Sequence, residues 1–377
     1  MTGDASMSAA PIRPGSAKLS VPLERSAAGT LELPVYGPFD WQKCLAYLGR
    51  SDLEVMHRIS DGRLIQPFEW NGSAVLLEIG CASGPPLAAE EVAGALSETT
   101  SGAGTEPAAE KRLVVAFPHG CPSPGLRQAA AAYVRDKFGL GDDLEPFYAM
   151  ARRDPLLSPV VSAYRGLRLI GLPDLFEALV WAIIGQQINL TFAYRLKKRL
   201  VEAYGEALPS ADRAGEAGKP DEPFRLFPKP AAIAALSPDD LRPMQFSVRK
   251  AEYVIGAARL IEAGDLSKSG LLALGEAEAR EALLRIRGVG AWTADYVGMK
   301  TLRRASAFPA GDAGLHQALK RGLGLSRRPL PAEIAAAAAP WRGHEAYATF
   351  YLWQSLLTPA PDQIPNPIPD SLSHPIS

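Results

Sequence analysis

The stretch Leu284-Arg-Ile-Arg-Gly-Val-Gly-Ala-Trp-Thr-Ala-Asp-Tyr296 reads as helix, tight turn, helix. Two glycines flanking one β-branched residue let the backbone turn sharply and approach a partner closely. The N–H groups of that turn and of the following helix's first turn lack intrahelical acceptors, which makes a seat for a phosphate. A lone aspartate follows in Phe308-Pro-Ala-Gly-Asp-Ala-Gly-Leu315, twenty positions after Trp292. A phosphate grip followed by a placed carboxylate points to chemistry on nucleic acid.

The chain around this stretch has 377 residues, enough for two or three domains, with 47% apolar and 21% charged residues. No apolar run is long enough for a membrane helix, and Met1 to Thr30 lacks the apolar core of a signal peptide. Cys44, Cys81 and Cys121 are widely spaced and odd in number, which suits a reducing cytoplasm without a disulfide framework. The net charge of −1 argues mildly against a nucleic-acid binder, but the charge is uneven. Between Arg280 and Leu357 eleven lysines and arginines face five carboxylates. That excess is either a phosphate-facing surface or an ordinary solvated face.

The expected fold is α+β. Composition marks residues 1–29 as a disordered arm, 88–111 and 209–223 as flexible insertions, and 358–377 as a Pro-rich tail. Residues 30–144 read as an antiparallel-sheet domain. Thr30 to Val35 alternates, Ser73 to Ile79 follows an Asn71-Gly72 turn, Leu113 to Phe117 is apolar, and Asp40 and Pro124 open helices. Residues 145–357 read as all-α. Asp174 and Glu177 form a capping-box start, and Leu190 to Tyr204 is an amphipathic helix closed by Gly205. Ser237-Pro238 opens another helix, Arg249 to Ala263 ends at Gly264, and Glu345 to Leu357 is the last.

Trp292 and Tyr296 lie four residues apart on one helical face, and the last helix adds Tyr347, Tyr351 and Trp353. Each aromatic alone reads as core. Coincidence with the turn and the aspartate makes Trp292, Tyr296 and Trp353 candidates for stacking on an extruded, cationic nucleobase. Asp312 would stabilise the oxocarbenium character of a breaking glycosidic bond, and it also suits the N-cap of a helix over Ala313 to Arg321. A glycosylase that also nicks DNA needs an amine nucleophile. Two positions after Gly290 stands Trp292 rather than lysine, which favours water as the attacking group.

These residues resemble the helix-hairpin-helix DNA glycosylases with the Gly/Pro…Asp signature, and within them DNA-3-methyladenine glycosylase II of the AlkA type. The supporting stretches are Phe176 to Leu190, Phe227-Pro-Lys-Pro, Ile286 to Ala294, Pro309 to Leu315 and Pro340 to Trp353, in the family's order. The resemblance implies an N-terminal TATA-binding-protein-like domain before an all-α glycosylase domain, with Asp312 catalytic and Trp292, Tyr296 and Trp353 lining the base pocket. It implies DNA contacts at Gly288, Gly290 and Thr293, with Gln187 as the wedge beside Ile188. No cofactor is expected for catalysis. The resemblance places a structural Na+ or K+ on the backbone carbonyls of Leu284, Ile286 and Gly288 when DNA is bound. Arg287 stands where the family has proline, which adds a potential phosphate contact. No cysteine follows Cys121, so the iron–sulfur loop of the endonuclease III branch is missing.

The resulting expectation is a bacterial, cytoplasmic, nucleoid-associated monomer acting on double-stranded DNA that contains alkylated bases. It would excise 3-methyladenine and 7-methylguanine without lyase activity. Two alternatives stay open: a non-enzymatic binder of damaged DNA, and a bifunctional oxidised-purine glycosylase/lyase.

Overall fold

The computed structural model describes residues 29–84, 109–208 and 223–357. The arm, the two insertions and the Pro-rich tail lie, apart from edge residues, outside them.

Strands β1 (Thr30–Val35), β2 (Arg58–Ser60), β3 (Arg63–Trp70), β4 (Ser73–Ser83) and β5 (Lys111–Ala116) form one antiparallel sheet in the order β1-β5-β4-β3-β2. The Asn71-Gly72 turn does join two strands, with Trp70 opposite Ser73 and φ of +49° and +77° at the turn residues. Asp61-Gly62 does the same between β2 and β3, with φ of +50° and +71°. That second Asp-Gly hairpin was equally legible in the sequence and was missed there.

Helix α1 (Trp41–Leu48) begins as expected, Asp40 accepting the Lys43 N–H at 3.1 Å. Helix α2 (Pro124–Phe138) has Ser123 as its cap and ends at Gly139 in the left-handed region, φ +58°. Their apolar faces meet the inward side chains Leu33, Leu64, Leu77, Ile79 and Leu113.

Among the described residues that follow, helices predominate, first α3 (Glu145–Ala151), α4 (Ser158–Tyr164), α5 (Leu175–Gly185) and α6 (Leu190–Tyr204). A two-residue hairpin follows, β6 (Ala207–Leu208) with β7 (Phe224–Arg225). Then come α7 (Pro230–Ala234), α8 (Pro238–Leu241), α9 (Val248–Glu262), α10 (Lys268–Ala273), α11 (Glu276–Leu284) and α12 (Ala291–Lys300). The chain closes with α13 (Ala313–Gly322), α14 (Pro331–Ala338) and α15 (Glu345–Ser355). The chain is α+β, as the sequence implies.

Two large apolar cores fill the described residues. One core joins the sheet, α1 and α2 to Leu315 and Leu319 of α13 and to Phe350, Tyr351 and Leu352 of α15. The second holds α5, α6, α9 and α11, with Val289 and Val297 around the hairpin. The C-terminal helices therefore return to the N-terminal sheet, a long-range pairing that local periodicity does not encode.

The expected capping box at α5 is only half made. Asp174 accepts the Glu177 N–H at 2.6 Å, but the Glu177 carboxylate turns away to Lys197 Nζ at 3.0 Å. Lys197 also meets Glu54 at 3.2 Å, with all three side chains nearly buried, so α5 and α6 are tied to the segment after α1. Burial would raise the Glu54 carboxyl, but Lys197, His57 and the Met56 N–H together outweigh it and hold it at about 2.

His57, close to Glu54, is pushed by burial from 6.5 down to about 4. The folded state resists protonation there, whereas the unfolded chain takes up its proton near 6.5. Stability should therefore fall as pH drops from about 6.5 to about 4, losing about 3 kcal/mol across that window. Urea unfolding of wild type and His57→Gln across this range checks it, with the variant expected to show the flatter curve.

Candidate active site

The hairpin between α11 and α12 closes through Ile286 N–H to the Leu283 carbonyl (3.1 Å) and Val289 N–H to the Ile286 carbonyl (3.0 Å). Gly288 sits at φ +92°, and a Cβ there would lie 2.2 Å from the Tyr253 ring. Glycine is thus required both by the backbone angle and by Tyr253 packed beneath it. Gly290 is different. It is extended (φ −93°, ψ 179°), caps α12 without a side chain, and has nothing within 4 Å of where a Cβ would sit. The start of α12, with the N–H groups of Ala291, Trp292 and Thr293, faces an open depression lined also by Gly288, Gly290 and Gln186. An uncapped N-terminus in an open depression leaves N–H donors of the kind that suit a phosphate.

Of the three carbonyls that the resemblance assigns to a cation, Ile286 accepts the Val289 N–H and Gly288 accepts Gln186 Nε2 at 2.9 Å, and each keeps a second lone pair.

Gln186 is the site residue that sequence reasoning missed. It ends α5 and reaches both the Gly288 carbonyl and Thr293 Oγ1, the latter at 3.0 Å. It thereby locks the α5–α6 turn onto the hairpin, with Thr293 only 1% exposed. Next to it Gln187 is exposed and left-handed, φ +57°, an uncommon state for a residue with a side chain. Ile188 instead packs partly against the second core. Asn189 caps α6, accepting the Phe192 N–H at 2.8 Å. Arg287 is largely exposed and pairs with Glu252 at 2.8 Å.

Asp312 is the N-cap of α13, as its residue type implies. Its Oδ1 accepts the Leu315 N–H at 2.7 Å and the Trp353 Nε1–H at 2.8 Å, and its Oδ2 accepts the Trp292 Nε1–H at 3.0 Å. The preceding loop is pinned by His316, whose ring nitrogens meet the Ala310 carbonyl (2.6 Å) and Arg328 Nε (2.7 Å). Gly314 gives room for the indole, because a Cβ there would lie 3.1 Å from both Asp312 Oδ1 and Trp353 Cδ1.

The three selected aromatics do come together. Tyr296 stands between the indoles, its ring centre 5.5 Å from Trp292 and 6.3 Å from Trp353. Its ring is only 7% exposed, whereas the two tryptophans are half-buried. Burial pushes its hydroxyl pKa well up, and Trp181 hydrogen-bonds to it. Tyr347 and Tyr351 belong to the core beside the sheet. Tyr296 also lines a cavity of about 70 Å³ between α1, α2, α5 and α6, walled in part by Tyr47, Arg50, Trp181, Tyr194 and Lys300. Lys300 there is pulled by burial down to about 8, and donates to Tyr47 Oη at 3.2 Å. The sheet domain thus supplies one wall next to the aromatic cluster, a neighbourhood that no local sequence signal announced.

The hairpin, the open helix start and an aspartate capping a helix among aromatics thus lie on neighbouring elements. Residues 180–342 match the family model described as HhH-GPD superfamily base excision DNA repair protein. A DNA-3-methyladenine glycosylase of Bacillus subtilis (strain 168) is 44% identical over 230 residues, covering 61% of this chain and 73% of that protein. DNA-3-methyladenine glycosylase 2 of Escherichia coli (strain K12) is 30% identical over 51% of this chain and 61% of its own length. The fold of a 3-methyladenine DNA glycosylase from Archaeoglobus fulgidus superposes with a TM-score of 0.65 at 21% identity, over 86% of this chain and 97% of that one. The chain belongs to the HhH-GPD superfamily of base excision DNA repair proteins. It is an enzyme of the DNA N-glycosylase class, with AlkA-type glycosylases among its relatives.

Proposed function

We propose that this enzyme is a monofunctional DNA glycosylase that extrudes and hydrolytically removes alkylated purines, 3-methyladenine and 7-methylguanine among them. The observation that carries this reading is the Asp312 carboxylate, fixed at the start of α13 between Trp292 and Trp353 with Tyr296 beside them.

The hairpin and the first turn of α12 seat a backbone phosphate, and the exposed, left-handed Gln187 is placed to fill the gap left by the extruded nucleotide. The aromatic cluster offers π faces that attract a cationic base. Such a base leaves as a neutral molecule, so no general acid is needed. As the glycosidic C–N bond breaks, its electron pair goes to the base, and Asp312 stabilises the positive charge left on the sugar. Water then bonds to C1′ and gives up a proton. With Trp292 holding the position after the hairpin where a lysine would serve as nucleophile, no Schiff base forms.

The partner is double-stranded DNA carrying alkylated bases, and the protein acts as a cytoplasmic monomer. No helix among the described residues is long and apolar enough to cross a membrane.

Release profiling on duplexes carrying methylated, deaminated or oxidised purines tests this. The expected result is free methylpurine without strand cleavage and without borohydride trapping. Tight binding with no release would support the non-enzymatic reading instead. Trapping would restore the lyase.

A further inference from the structure

We propose that Trp292 and Trp353 act as positioning residues for Asp312, in addition to any contact their rings make with the base. The inference rests on the functional reading above, which makes Asp312 the group that faces the breaking bond.

The carboxylate has one indole on each oxygen. Trp292 Nε1 donates to Oδ2 at 3.0 Å and Trp353 Nε1 donates to Oδ1 at 2.8 Å, while the Leu315 N–H adds a third bond to Oδ1 at 2.7 Å. These donors come from three different helices, α12, α15 and α13. An indole N–H can only donate and the oxygens of a carboxylate accept, so donors and acceptors are matched in this cluster.

Three donors in fixed directions leave the carboxylate little freedom to rotate. It cannot swing to meet the sugar, and it needs no reorganisation when positive charge develops. The surrounding sequence is shaped to permit this. Gly314, two residues after Asp312, sits where a Cβ would come within 3.1 Å of both Asp312 Oδ1 and Trp353 Cδ1. The Tyr296 ring packs beside both indoles, its centre 5.5 Å from Trp292 and 6.3 Å from Trp353. His316 is occupied by Ala310 and Arg328 and not by Asp312.

An indole that only stacked on the base would give a different response to substitution. Phenylalanine keeps an aromatic face but loses the N–H. If the indoles position Asp312, Trp292→Phe and Trp353→Phe should slow single-turnover release of methylpurine from methylated duplex DNA by about ten- to a hundredfold. Affinity for an uncleaved duplex should change little. Gly314→Ala keeps both indoles and crowds only Trp353 against Asp312, so it should slow release less and in the same direction. Urea unfolding on the same preparations verifies that each variant is folded. A release rate unchanged in all three variants, or a loss confined to substrate affinity, overturns the positioning role and leaves the functional reading intact. Absence of base release by the wild-type protein overturns both.

Discussion

Asp312→Asn should abolish base release while leaving duplex binding within about threefold of wild type. The expected loss is about a thousandfold or more, the scale on which removing a preorganised electrostatic group affects catalysis. Asparagine is as good a cap as aspartate, so α13 should still start at Ala313. The amide oxygen can keep the bonds from Leu315 and Trp353, but the amide nitrogen would then face the Trp292 N–H, donor against donor. That costs about 1 kcal/mol of stability, small against the catalytic loss. Single-turnover release and equilibrium binding, measured on one preparation, separate the two effects. Retained release by the variant would remove Asp312 from the reaction.

The two hairpin glycines should respond in opposite ways to alanine. Gly288→Ala forces a Cβ to within 2.2 Å of the Tyr253 ring at φ +92°, so both Tyr253 and the backbone must move. A loss of about 3 kcal/mol or more in urea unfolding is expected, accompanied by weaker DNA binding. Gly290→Ala meets nothing within 4 Å and adopts an ordinary extended φ, so stability should stay within about 0.5 kcal/mol. The methyl group nevertheless lies in the open depression before α12, where a phosphate would approach. Duplex affinity should drop about tenfold, with a shallower dependence on salt. Equal destabilisation by both substitutions would mean that Gly290 is held by packing and not kept for a partner.

Much of the scaffold was legible because its signals are local. Asp40, Asp174 and Asp312 all cap helices through their own side chains, and Asn71-Gly72 turns a hairpin where its residue types require one. The glycine spacing of the hairpin and the placement of Trp292 and Tyr296 on one helical face follow from backbone geometry and the 3.6-residue period. The misreadings are equally instructive. Glu177 looked like the second half of a capping box, yet Lys197 on the next helix offers it an opposite charge in a buried setting. Gln186 carried no signal, since its two partners lie 102 and 107 residues away.

By itself the sequence indicated many of the elements, the family resemblance and Asp312 as the candidate carboxylate, all of which depend on neighbours within a few residues or on motif order. Tertiary structure decided the rest. It returned α13 and α15 to the core of the N-terminal sheet, engaged the Gly288 carbonyl with Gln186, and turned two indole N–H groups onto Asp312 from 20 and 41 residues away. The physical reason is that a hydrogen bond between helices depends on where packing sets each ring, and packing is a property of the whole core.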